Sequence, residues 1–342
     1  MSFNAGYKRF TKLTIFFTIF VVFAGSMVKV TGSGMGCPDW PKCFGYYIPP
    51  FDEEQLKWKP NFEYHEGEMI FWEGDLLKAN QDFITKKEFS ESSWSVYDKH
   101  DYKIYKPIHT IIEYINRLVS IFLGAAVLLM IANAFRSQKR KTLNIVFAFV
   151  TLFLIGFEAW LGKLVVEGVL NPTDISYHML AAFGIILVLS FTHSKNSEAS
   201  SFDYPKLYKR LQIGAFVYLL YQLIMGVVLR QTFDTYAGVS RELWVENAGL
   251  SFLIHRSSSL IYVGLAVVTY RILKNVPKDS FEWRNFRWVV ILTVAEVVSG
   301  AVMGYLEVPK GAQPFHVIVS SILLLVQANL FFKILINSKQ NG

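Results

Sequence analysis

Three histidines stand inside long apolar stretches of this 342-residue chain: His178, His255 and His316. A histidine within a membrane span is expensive and is seldom idle. One alone is equally well read as an inter-helix hydrogen bond, but these three share a level. Counting to the next basic residue on the inner side gives 17 positions from His178 to Lys195, 16 from His255 to Arg271 and 17 from His316 to Lys333. Imidazoles on two helices of one bundle can ligate haem iron from both faces, so His255 and His316 are read as the axial pair of a b-type haem. Zinc or copper is disfavoured, because no Cys, Asp or Glu is expected at this depth in the second half to complete a coordination shell.

The surroundings of His178 differ. Opposite it stands Asn116, with Glu113 one helical turn further out and Arg117 adjacent. His109 lies two turns beyond on the same face, about 10 Å above the ligand level at 1.5 Å per residue. Glu113 is read equally as a partner for Arg117 at i+4 and as a catalytic acid or base. A haem held by His178 alone would keep one iron position open or weakly filled, as redox chemistry on a bound substrate requires. Arg117 and Arg256 could neutralise carboxylates of a porphyrin. Lys29, Lys163, Arg230 and Arg241 at the outer rim are further candidates, for which interfacial snorkelling is the favoured reading.

Helices must position these groups. With 52% hydrophobic and 16% aromatic residues, the chain carries eight apolar stretches of about bilayer length, at 14–30, 108–134, 144–164, 175–192, 211–230, 250–270, 288–306 and 315–335. The first is too long and too poor in small residues to be a removable signal peptide. They repeat. Glu158-x-x-x-Gly162 and Tyr177-His178 recur 138 residues on as Glu296-x-x-x-Gly300 and Phe315-His316; Asn116-Arg117 pairs with His255-Arg256, and Gly25-x-x-x-Lys29 with Gly226-x-x-x-Arg230. The predicted fold is an all-α integral membrane protein of two four-helix bundles, 1–195 and 196–342, related by a pseudo-two-fold along the membrane normal.

Lys and Arg number 18 at the termini and alternate loops, against four in the three short loops opposite. Both termini are therefore predicted to be cytoplasmic, in a bacterial inner membrane. The net charge of +7 is then a topology signal, with no nucleic-acid partner implied. Residues 31–106 form an outer-side loop domain, with nine Lys and 14 Asp or Glu. Its aromatic residues are numerous enough to pack on each other or on the membrane surface. Cys37 and Cys43, flanking two prolines at its start, favour a closed loop or redox pair over two independent thiols. A zinc site there would need His65 and His100.

Gly32-Ser-Gly-Met-Gly-Cys37-Pro-Asp-Trp-Pro-Lys-Cys43, Glu113-Tyr-Ile-Asn-Arg117 and His255-Arg256 resemble the haem A synthase family, across nearly all of the membrane part. That resemblance implies oxidation of the C8 methyl of haem O to the formyl of haem A by two hydroxylations, for cytochrome oxidase biogenesis. It implies haem b on His255 and His316, His178 in the substrate-haem pocket, Glu113 as the catalytic acid, and a Cys37–Cys43 disulfide. Haem O synthase, a farnesyl transferase, and the oxidase assembly machinery are the implied partners besides the lipid bilayer; a homo-oligomer is compatible. The chain departs from the family's Glu-x-x-His-Arg by carrying Asn116 at the histidine, and lacks a second cysteine pair. His109 is kept as a candidate for the missing ligand. Two other classes compete: a di-haem electron-transfer cytochrome, which should show matched histidine pairs, and a membrane haem transporter or chaperone.

Overall fold

The computed structural model describes residues 3–98, 105–198, 202–236, 238 and 240–338. Among them eight helices are long and apolar enough to cross a membrane: α1 (Phe3–Thr31), α2 (Pro107–Phe135), α3 (Lys141–Glu167), α4 (Pro172–Lys195), α5 (Lys206–Thr235), α6 (Glu242–Leu273), α7 (Phe281–Tyr305) and α8 (Ala312–Ser338). The chain is a multi-pass membrane protein. Each of the eight expected spans is present, extended at its ends by residues that cap or leave the apolar core. Pro107 and Pro172 open α2 and α4, where a missing N–H costs nothing. Asn171 and Ser280 cap α4 and α7 by accepting from the backbone N–H of Thr173 and Trp283.

Helix α6 is interrupted. Gly249 has φ 49° and ψ −122°, a backbone state open to glycine, six residues before His255. The apolar part of α6 thus begins afresh at Leu250.

Between α1 and α2 the expected outer segment is built on strands, which the all-α prediction leaves out. They are β1 (Glu63–Tyr64), β2 (Met69–Trp72), β3 (Asp75–Ala79), β4 (Phe83–Ile84) and β5 (Trp94–Val96). β2, β3 and β5 form one antiparallel sheet, β1 and β4 a two-stranded ladder. Aromatic packing holds them: Trp72 stacks on Phe89 at 4.1 Å between ring centres, and Tyr64 meets Trp94 edge-on at 5.0 Å.

Packing pairs recur along the helices. α1–α2, α2–α3, α3–α4 and α1–α4 contacts have counterparts in α5–α6, α6–α7, α7–α8 and α5–α8. α4 meets α8 across the seam, flanked by α1–α8 and α4–α5. Phe183, Ile186, Phe216, Leu219, Leu323 and Leu324 fill the core there. Four close approaches fall on the repeated positions. A methyl added to Gly25, Gly162, Gly226 or Gly300 would lie 3.9, 3.4, 3.3 or 3.7 Å from Asn116, His178, His255 or His316 respectively. Each odd helix therefore offers a bare backbone to the ligand-level side chain of an even one.

Candidate functional site

In the second half, α6 and α8 bring His255 and His316 together, ring centres 6.4 Å apart and planes at 74°. With metal–nitrogen bonds of about 2.0 Å and about 1 Å from nitrogen to ring centre, two imidazoles on one metal stand about 6 Å apart. The pair fits. His255 Nδ1 is buried with no hydrogen-bond partner, whereas His316 Nδ1 shares a hydrogen bond of 2.8 Å with Ser299 Oγ. Among the described residues no three His, Cys, Asp or Glu side chains converge as a bare metal ion requires. A group that brings its own equatorial ligands suits this donor set.

In the first half, His178 packs against Gly162, with Nδ1 3.2 Å from Glu158 Oε1. That approach is not a hydrogen bond: His178 Nδ1 is buried without a partner, as is the other carboxylate oxygen, Glu158 Oε2. Asn116 faces Gly25 with its buried Oδ1 unpartnered. His109 is set apart from these groups. It lines a cavity of about 400 Å³ with Met27, Thr31, Ile112 and Lys310, at the outer ends of α1, α2 and α8.

Above this half lies the Cys37–Cys43 disulfide, both residues buried and the S–S distance 2.05 Å. Its loop is stapled to α2. Glu113 is 4% exposed; its Oε2 accepts from the Cys37 backbone N–H at 2.9 Å and its Oε1 from Arg117 Nη2 at 2.6 Å. Arg117 Nη1 donates in turn to the carbonyls of Asp39 and Lys42, at 2.9 and 2.7 Å. The Thr110 hydroxyl donates to Gly36 O at 2.8 Å, and a methyl on Gly36 would meet His109 O at 2.4 Å. Within the loop, burial pushes the Asp39 carboxyl above the usual carboxylate range, opposed by the N–H groups of Gly45 and Phe44 and by Arg117. Arg256, the counterpart of Arg117, is exposed beside the Phe252 ring. His65 lies 3.7 Å from Asp82 on the outer surface. His100 lies outside the described residues.

The sequence profile of the cytochrome oxidase assembly proteins designated COX15-CtaA matches residues 8–95 and 73–328. The chain belongs to the COX15-CtaA family. Two curated relatives carry the name heme A synthase. One, from Shouchella clausii, is 24% identical over 283 residues, covering 78% of this chain and 76% of the relative. The other, from Shewanella oneidensis, is 23% identical over 219 residues, 63% of this chain and about half (54%) of the relative's length.

Beside His178 and His316 the structure sets two acids that the sequence offers only as markers of the repeat. Glu296 Oε2 stands 3.1 Å from His316 Nε2, as Glu158 stands by His178. The expectation of no carboxylate at this depth in the second half is therefore corrected. The spacing signal was available: Glu296 lies one turn from Gly300, and Gly300 faces His316. The rim cations are corrected in part. Lys29 and Arg230 do not snorkel singly, because both pair with Asp234. Lys163 is half-exposed and 3.5 Å from Glu167, while Arg241 donates to Val308 O at 2.9 Å.

Proposed function

We propose that this chain is a haem A synthase, oxidising the C8 methyl of haem O to the formyl of haem A by successive hydroxylations. The observation that carries the reading is the His255–His316 pair at 6.4 Å in a member of a family whose named relatives are heme A synthases. On this reading the second half is the electron-transfer half and residues 1–195 the catalytic half, the two related by a pseudo-two-fold; the matched packing pairs support it. Both termini face the cytoplasm of a bacterial inner membrane, in keeping with the Lys and Arg distribution. Haem O synthase and the oxidase assembly machinery are the partners that supply the substrate and take the product.

Haem b, when bound, supplies one-electron transfer. His255 and His316 would hold it. Ser299 holds Nδ1 of His316, so Nε2 is the nitrogen that would be left for a haem iron. In the catalytic half His178 would hold the substrate haem, with the Glu158 carboxylate 3.2 Å from its Nδ1. Asn116, its buried Oδ1 unpartnered, would leave that haem without a second strong ligand. Glu113, clamped by Cys37 and Arg117, keeps the disulfide loop over this half and is the acid–base group nearest to it.

Reduced-minus-oxidised spectra of the purified protein test the reading. A low-spin b-type signal is expected, lost in both His255→Ala and His316→Ala; an unaltered spectrum in both variants refutes the assignment.

A further inference from the structure

At the outer end of the seam, two cations share one anion. Lys29 ends α1 and Arg230 lies near the end of α5, and both bind the carboxylate of Asp234. Their side chains are 30%, 14% and 16% exposed, so a net positive charge sits largely out of water. Such an imbalance is costly unless another anion joins it. Donors remain to receive one: Arg230 Nε is buried without a hydrogen-bond partner, and Nη1 meets the thioether of Met179 at 3.4 Å, a weak acceptor. Gln231 keeps α5 against α4 by bonding Ser176 and Thr173.

Position says where the anion comes from. Gly226 faces His255 and Gly25 faces Asn116; Arg230 and Lys29 each lie four residues further out, about 6 Å above those levels. Arg230 also touches Met179, the neighbour of His178. The cluster therefore overlooks the ligand level of both halves.

We infer that Lys29, Arg230 and Asp234 form one oxyanion site shared by the two halves, receiving a carboxylate of the porphyrin bound beneath it. The inference rests on the haem-binding reading above. Because one cation comes from each half, charge in the first half acts on the redox centre of the second.

The test titrates haem-depleted protein with haem b and with haem b dimethyl ester, whose carboxylates are blocked. The wild type is expected to bind the ester about tenfold more weakly, the worth of one lost charge-assisted hydrogen bond. Arg230→Gln should weaken haem by a similar factor and leave the ester unchanged. Equal binding of haem and ester by the wild type, or equal weakening of both by the variant, overturns the site while leaving the haem-binding reading intact; binding of neither refutes both. Retained haem-over-ester preference in Arg230→Gln, with loss of phosphatidylglycerol binding in lipid-depleted protein, assigns the site to lipid phosphate and overturns it too. For the sharing, Lys29→Gln should lower the midpoint potential of the haem on His255 and His316, with Lys29→Arg restoring it; an unchanged potential contradicts it.

Discussion

Both carboxylate oxygens of Glu113 are engaged, one by a backbone N–H and one by a guanidinium. Of the two sequence readings of this residue, the structure shows the ion-pair partner; the catalytic acid is part of the proposed function. Arg117→Gln is expected to cost about 3 kcal/mol, because it strips a buried carboxylate and two carbonyls of their donor; thermal unfolding in detergent measures it. Glu113→Gln keeps the Cys37 contact but breaks the ion pair with Arg117, so part of the stability is lost; haem A formation per folded protein should fall as well, whereas an unchanged rate per folded protein would make the residue purely structural. Asp39 titrates in the opposite sense to a salt-bridged acid. Its pKa is raised by burial, so its contribution is fully present below the ordinary Asp pKa and is lost as pH rises through the folded value. Asp39→Asn should therefore gain on the wild type as pH increases, and a difference in unfolding temperature that is flat with pH would contradict this. The site histidines were legible from their common depth. Glu158 and Glu296 were visible only as repeat markers, since contact between odd and even helices cannot be read along one chain.

The eight spans were legible because apolar length alone defines them, and the strands were not. β1 and β4 hold two residues each, too short for an alternation signal, and their stability comes from aromatic packing between distant residues. The interruption in α6 was equally hidden, since one glycine in a membrane helix is ordinary. Gly249→Ala forces a side chain into a positive-φ state and should cost about 1–3 kcal/mol. Because the strain falls six residues from His255, haem retention should drop with it, and unchanged haem content on purification would show that the kink does not position the ligand. Gly36 is the corresponding point for the disulfide loop, where a methyl would press on the α2 backbone.

Across the whole molecule, Gly25, Gly162, Gly226 and Gly300 make matched contacts in the two halves, and on the proposed function the differences between the halves divide the work. The first half carries Asn116, Glu113 and the disulfide loop; the second carries the histidine pair. Asp234 joins them at the seam, a partner that charge counting could not reveal because Lys29 lies 205 residues away. Orientation follows from the basic loops: in intact spheroplasts a membrane-impermeant maleimide should label Ile84→Cys and spare Lys206→Cys, and the reverse pattern would invert the topology. The most direct test of the central claim is co-expression with haem O synthase in a host lacking its own haem A pathway, followed by chromatography of the extracted haems. Haem A is expected from the wild type and absent with His178→Ala; extracts containing only haem B and haem O from the wild type would contradict it.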